Sequence, residues 1–536
     1  MFGLKRFLQL SAVAAVSVMM IACAGDDKSA PAKGNMIPDN AVIAVKVSAD
    51  QLFNKALGDE NSPIRDYWNM AKSGLSGQLH GYGELGDVAR QTIKDPAKLG
   101  VNMEEPFVVS CSYDIRNISY EDPTADVFMV ALLDDRDAFA GVVDAAMNYA
   151  NEELGLNVTK EELNGSYTYY EFLSEAEITV GLGVAENAAI LRMKYEPSER
   201  NVDLKGTMLT LFANGGPKKT EGLKEFYATA SDVAVWLDAD ATMTSVMPLL
   251  EDEDPYAAAQ IKPYLSMCKG ASVVTDLDFK NGQTVVNYSM FGSKDLMANA
   301  KKFNKPASDK FLKLMPATTA VAMNVAIKDF PGLIDYMCQS NEEFQQMLDS
   351  LVEEFAFDKK LLEGFPGTIS FALDGNDIDD RDVPGFMVCL ESDKKVWKYA
   401  ETYLSAVADS QGDDTYTIDE EVYFLYEDGH ITIADAETML SAPMTGTHSF
   451  ADTELGAAIK KGGMAVNFAA LPGDELVKFV RRELDLRLTR KQILDCCSSV
   501  VLTTSEDFMS ATLTLNMNDK EHNLLEKIIL TALPTL

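Results

Sequence analysis

GQTVVNYSM (residues 282–290) and SATLTLNM (510–517) decide how this chain folds. In the first, Val286, Tyr288 and Met290 alternate with Asn287 and Ser289. In the second, Leu513, Leu515 and Met517 alternate with Thr512, Thr514 and Asn516. Such period-2 alternation gives a strand one apolar and one wet face, as in antiparallel sheets. Elsewhere the period changes. Val142, Val143, Ala146 and Ala150 follow Phe139 at helical spacing, and Trp397, Ala400 and Leu404 repeat the pattern. Helices laid on one face of antiparallel sheets predict an α+β fold.

The two strands also correspond to each other, and other pairs match in the same order. Ile37-Pro38 before AVIAVKV matches Met315-Pro316 before AVAMNVAI. EEPFVVSCSYD (104–114) matches EGFPGTISFALD (363–374), and the run from Asp126 matches the run from Gly385. SYTYYEF (166–172) matches TYTIDEE (415–421), and SDVAVWLDAD (231–240) matches GGMAVNFAAL (462–471). The separation shrinks from about 278 residues (37 to 315) to about 227 (283 to 510), as duplication followed by loop loss gives. The expected organisation is a first α+β repeat over 37–300, a basic linker at 301–314 and a second repeat over 315–536. Two such lobes leave room for a cleft between them.

At 536 residues the chain exceeds what one core needs, and 47% hydrophobic with 24% charged residues is an ordinary folded composition. The formal charge is −36, which repels phosphate backbones and excludes nucleic acid as a natural partner. Of seven cysteines, Cys111, Cys268, Cys338, Cys389, Cys496 and Cys497 form no C-x-x-C pair. Zinc and thioredoxin-type chemistry therefore lack their usual spacing.

The seventh, Cys23, ends a signal-like segment. Lys5 and Arg6 precede an apolar run from Phe7 to Ile21, then Ala22 and Cys23. A run of about 15 residues is short of the roughly 20 that span a bilayer. The order resembles the bacterial lipobox, with residues 1–22 as the signal peptide and lipid, palmitate included, attached at Cys23. Residues 23–36 then read as a flexible tether.

The half-unit openings, Ile37-Pro38-Asp39-Asn40-Ala41-Val42 and Met315-Pro316-Ala317-Thr318-Thr319-Ala320-Val321, resemble an uncharacterised lipoprotein family of the Bacteroidetes, the domain of unknown function 4836. The resemblance spans about residues 35–530. It implies an envelope location and an α+β repeat, and it carries no known activity and no catalytic residues. Asp26 and Asp27 after Cys23 resemble that phylum's surface-export signal, which implies the outer membrane, at the cell surface or in the periplasmic leaflet.

Each candidate site has a plainer competitor. Asp374, Asp377, Asp379, Asp380 and Asp382 resemble a calcium loop, but Ile378 breaks the ligand order and a hairpin turn explains them. Asp134, Asp135 and Asp137 precede the Phe139 helix, where carboxylates cap free N–H groups. His80, His430, His448 and His522 show no i,i+4 pair. Gly181-Leu182-Gly183 starts like a dinucleotide loop, yet Glu186 replaces the third glycine. Tyr167, Tyr169 and Tyr170 offer either a sugar-stacking group or ordinary strand alternation. Lys478, Arg481, Arg482, Arg487, Arg490 and Lys491 form the most basic stretch, and the four arginines are the expected partner-binding residues.

Three readings follow. The first is a lipid-anchored, non-enzymatic envelope protein that binds another protein or assembles at the cell surface. The second binds a glycan or small ligand in an inter-lobe cleft. The third is an unrecognised hydrolase with dispersed carboxylates. No metal, cofactor or catalytic residue is expected from the sequence, and the membrane is reached through the lipid alone. Cys23→Ser should abolish incorporation of labelled palmitate and move the protein from the membrane to the soluble fraction. Retention of both label and membrane association by the variant would overturn the anchor.

Overall fold

The computed structural model describes residues 36–114, 124–163, 166–175, 178–195, 204–216, 220–262, 265–292, 298, 301–340, 342–354, 363–365, 367–374, 385–435, 449–471, 473–484, 487–505 and 509–532. Residues 1–22, Cys23 with nearly all of the expected tether, Asp377, Asp379, Asp380, Asp382 and His448 lie outside them. Helices and antiparallel strands are mixed throughout, and the chain divides into two compact units. One holds the described residues up to Ala259, with Cys268–Phe279 and those from Leu525 on; the other holds Gln260–Met267 and Lys280–Leu524.

The strands of the first unit are β1 (Ile43–Val47), β2 (Phe107–Asp114), β3 (Thr124–Leu132), β4 (Thr159–Leu163), β5 (Tyr167–Glu175), β6 (Ile178–Val184), β7 (Ala188–Tyr195), β8 (Val233–Asp238) and β9 (Ser272–Lys280). They pair in the order β9-β8-β1-β2-β3-β7-β6-β5-β4. Alternation along them sends residues to two different cores. Phe128, Ile190 and Tyr169 join Leu204 and Met208 on one face. Tyr170, Leu182 and Val184 join Phe139 and Val143 of the helix Arg136–Glu152 on the other. That helix starts where the carboxylates stand: Asp135 caps it by accepting from the Ala138 N–H at 2.9 Å.

Buried charge in this unit is tied down. Arg192 donates through Nε and a terminal nitrogen to both oxygens of Asp126, at 2.9 and 2.6 Å, and to the Leu204 carbonyl at 3.1 Å. A bidentate pair of this kind fixes orientation as well as charge. Lys46 is buried in β1 and donates to the carbonyls of Phe226 and Thr229 at 2.6 and 2.5 Å. These are the last carbonyls of the helix Glu221–Ala228 and its cap, where a cation is favoured.

The strands of the second unit are β10 (Gln283–Phe291), β11 (Thr319–Ala326), β12 (Thr368–Asp374), β13 (Phe386–Glu391), β14 (Asp409–Gly412), β15 (Thr415–Ile418), β16 (Val422–Glu427), β17 (His430–Ala434), β18 (Gly463–Asn467), β19 (Ser499–Thr504) and β20 (Ser510–Asn516). Their order is β10-β20-β19-β18-β11-β12-β13-β17-β16-β15-β14. Ala322, Ala372, Met387, Cys389, Ala465 and Val501 form one face of this sheet. Phe311, Leu312, Met315, Phe450 and Ile459 cover it. The small alanines let these large side chains approach the backbone closely, which builds a dense core. Cys389 is a free thiol within that core, and burial pushes it up to about 12.

The strand at one end of each sheet is exposed and charged or interrupted. β4 reads TKEEL with four of its five residues exposed. All four residues of β14 are exposed, and its register slips between Ser410 and Gly412.

Burial lowers Lys46 to about 8 from an ordinary 10.5, so its charged form is the more costly one in the folded state. The cost is complete below pH 8 and fades as the pH climbs toward the unfolded value. Relative to Lys46→Met, the wild type should therefore gain stability by on the order of 1 kcal/mol per pH unit between about 8 and 10. Urea unfolding of both proteins at pH 7, 8, 9 and 10 measures this, and a pH-independent difference would refute it.

Candidate functional site

The segments GMAVN, SVVLTT and SATLTLN form adjacent strands β18, β19 and β20. In each, alternate residues face away from the covered core. Register places Met464 opposite Leu502, and Leu502 opposite Leu513. The row extends to Met323 of β11 on one side and Val286 of β10 on the other. Met464, Leu502 and Leu513 are 39%, 37% and 38% exposed. Leu513 is thus more exposed than Thr512 and Thr514 beside it. Alternation alone predicts the reverse, with leucine inside and threonine out. Of the large apolar side chains left open in the described residues, the three on strands are these three cross-strand neighbours.

Two residues further along, at the strand ends, Val325, Gly462 and Thr504 line a cavity of about 200 Å³ together with Ala326 of the covered face and Asn304, Lys305, Lys461 and Ser505. The cavity is held in place by Asn324, which is fully buried in β11. Its amide nitrogen donates to the carbonyls of Ser308, Ile459 and Lys460 at 3.1, 3.3 and 3.4 Å. Its oxygen accepts from the Ser370 hydroxyl at 2.7 Å. One side chain therefore ties down the segment carrying Lys305 and the turn carrying Lys461. Beside that turn, Gly463 has φ +148°, and a Cβ there would collide with the Leu502 carbonyl oxygen.

Lys305 stands 3.5 Å from Glu391. Burial pushes the Glu391 carboxyl up, but hydrogen bonds from Thr368 and the charge of Lys305 outweigh it and hold it below its ordinary value. Among the described residues, an apolar strip thus lies near a small polar cavity lined by Lys305 and Lys461, with the Glu391 carboxylate beside Lys305.

Residues expected from sequence fall elsewhere. Tyr169 and Tyr170 are buried, and Tyr167 stacks on Phe212 at 5.4 Å, so the group is structural rather than a free stacking platform. Gly181 and Gly183 lie within β6, with the Tyr169 ring against Gly181. His430 is buried beside Phe311, and His522 pairs with Asp519. Asp374 ends β12. The basic stretch forms two helices, Gly473–Leu484 and Arg490–Cys496, which share the buried side chains of Leu476, Val480 and Ile493. Arg481 and Arg482 end the first helix, where they complement its dipole. They and Arg487 are exposed, whereas Arg490 donates to the Ala469 carbonyl at 2.8 Å.

Sequence reading also missed a carboxylate pair in the first unit. Lys55 donates to Asp232 at 2.7 Å and to Asp278 at 2.6 Å. Burial tends to lower Lys55, but its two carboxylate partners outweigh this and raise it, while burial raises Asp232. Asp232 is fully buried, so no substrate reaches it, and the lysine ties the helix Ala49–Leu57 to the sheet. The open row and Lys461 were also missed. Their alternation and charge were visible, but which face stays open depends on where the helices pack.

A family model described as "Domain of unknown function (DUF4836)" matches residues 33–435. No curated protein matches the chain. A solved structure described as crystal form I of TP0453 aligns at 9% identity over 77% of this chain and 96% of its own, with a TM-score of 0.19. At that score the likeness carries no argument.

If the face is open, Leu502→Thr and Leu513→Thr should each cost less than about 1 kcal/mol. Leu312→Ala in the covered core should cost about 2–5 kcal/mol. Asn324→Ala, which strands three carbonyls and a hydroxyl, should cost at least about 2 kcal/mol. Urea unfolding ranks the four variants; a Leu502 or Leu513 variant as damaged as the Leu312 one would mean that the face is buried.

Proposed function

Since the chain belongs to the family described as Domain of unknown function (DUF4836), whose description brings no activity with it, we propose from the chain's own features that it is a non-enzymatic binding protein of the cell envelope. It is held at the outer membrane, on the cell surface, by lipid on Cys23. It acts through the open face of its second unit. The observation that carries this reading is the exposed Met464–Leu502–Leu513 row. These side chains offer burial and dispersion, the currency of binding, and contain no acid, base or nucleophile.

The strand orders support descent from one duplicated α+β unit. β9-β8-β1-β2-β3-β7-β6-β5-β4 in one unit corresponds, strand for strand, to β19-β18-β11-β12-β13-β17-β16-β15-β14 in the other. The core of Phe311, Leu312 and Phe450 against the alanine face supports helical and loop cover on one side of the sheet. The exposed Arg481, Arg482 and Arg487 add an electrostatic surface for an acidic envelope protein.

Magnitudes set the scale of the interaction. Covering the open third of three such side chains returns about 2–3 kcal/mol. Micromolar affinity needs about 8 kcal/mol. A partner must therefore also engage the half-buried flanks, Met323 and Val286, or the cavity next to the row.

A photoreactive residue placed at Leu513 should crosslink in intact cells, and one at exposed Lys98 of the first unit should not. Gel shift and mass analysis read the adducts. Equal labelling at both positions, or none at Leu513, would remove the sheet face as the binding surface.

A further inference from the structure

We infer that the first unit rests on the surface of a neutral-headed phospholipid bilayer through one exposed apolar face of its helices. This rests on the proposed lipid anchor at Cys23 and says which side of the unit that anchor turns toward the membrane. Three observations carry it. The first is where the exposed apolar side chains lie. Among the described residues the first unit exposes eight large ones, and Tyr67, Met70, Leu75, Tyr82, Leu154 and Leu156 are six of them. The first three belong to the helix Pro63–Gln78, Tyr82 comes just after it, and the two leucines follow the helix Arg136–Glu152. The Tyr82 ring packs on Tyr149 of that second helix, 5.7 Å between centres, which brings the two groups together.

The second is pattern. The inner side of the helix Pro63–Gln78 holds buried Ile64, and Trp68, whose ring meets Phe53 at 5.3 Å. Tyr67, Met70, Ala71 and Gly74 follow one another at helical spacing on another side, and all four are exposed. A surface helix ordinarily carries charge on such a face. These four positions carry none, and Met70, at 72%, is the most exposed large apolar side chain of the described residues. The two leucines are held in place as well. The Asn151 side chain accepts from the Val158 N–H at 2.8 Å and donates to the Val158 carbonyl at 3.0 Å, closing the loop that presents them. An apolar face already in place loses little freedom on contact.

The third is reach and charge. Cys23 stands 13 positions before Met36, the first described residue, so the chain between them spans at most about 45 Å. That is comparable with the breadth of a compact unit of this size, whose radius of gyration is about 18 Å. The anchor alone therefore does not choose which side of the unit meets the bilayer. It does hold the unit there at an effective concentration of about millimolar, where a modest apolar face is enough to decide. A freely diffusing protein partner needs a larger contact. No helix among the described residues is long and apolar enough to cross a membrane, so the contact is interfacial. Tyr67 and Tyr82 suit the head-group level. The net charge of −36, with Glu152 and Glu153 beside the leucines, selects neutral head groups over anionic ones.

Tryptophan quenching tests this, with the lipidated chain reconstituted into phosphatidylcholine vesicles whose acyl chains carry bromine. Tyr67→Trp should lose about half of its added fluorescence, because an interfacial helix sits roughly 5–10 Å deep. Tyr256→Trp, at an exposed position in a different helix of the same unit, should match the wild type. Met70→Asp added to Tyr67→Trp should remove the extra quenching while the vesicles still carry the protein and circular dichroism stays unchanged. The extra quenching should survive about 1 M salt, which shortens the Debye length to about 3 Å. Quenching of Tyr67→Trp no greater than of Tyr256→Trp overturns the proposal, as does quenching that salt abolishes or phosphatidylglycerol strengthens. So does a protein adduct from a photoreactive residue at Met70 in intact cells without quenching in vesicles, which would make the face a protein-docking surface. If the wild-type protein fails to float with the vesicles, the anchor reading falls. If it floats and Tyr67→Trp stays unquenched, the anchor stands and this face is wrong.

Discussion

The amide of Asn324 is the interaction on which the second unit's surface depends. It reaches no solvent, yet it holds three carbonyls from two distant segments and takes a hydroxyl from β12. A buried amide is stable only when its donors and acceptors are all answered. Its hydrogen bonds therefore fix backbone positions more sharply than apolar packing does. Met323 and Val325, its neighbours in sequence, point to the opposite face. The polar lock on one side of β11 thus positions the apolar row on the other.

The same division of labour recurs in the first unit. Arg192 with Asp126, Lys55 with its two aspartates, and Lys46 with its two carbonyls each connect elements far apart in the chain. Buried ions of this kind contribute little net stability, because desolvation offsets the attraction. Breaking one is costly, which makes them registers more than glue. The stability itself comes from the paired cores around Phe128 and Phe139 and from the alanine-faced sheet under Phe311.

Local rules were legible in the sequence wherever a residue answers only to its neighbours. The alternation in 510–517 gives β20, and Asp135 stands at the cap that its place before Phe139 indicates. What alternation does not reveal is which face is covered. Tyr169 and Tyr170 occupy opposite faces and are both buried, because this part of the sheet has a core on each side. Leu513 is exposed and Thr512 half-buried, the reverse of what alternation alone predicts, because exposure depends on which face other elements of the fold cover. Lys305 and Lys461 are far apart in sequence, and the Asn324 bonds, with the Ala307 N–H donated to the Lys461 carbonyl at 2.8 Å, make them neighbours.

The exposed strand at one end of each sheet has a consequence for how copies meet. β4 presents Lys160, Glu161 and Glu162 to solvent, and β14 breaks its own register before an acidic turn at Asp413 and Asp414. Charge and irregularity at an edge stop another chain from extending the hydrogen-bonded ladder. Through these edges, crowding yields no fibre. Covering the open leucine face would instead bury side chains without adding a strand to either sheet.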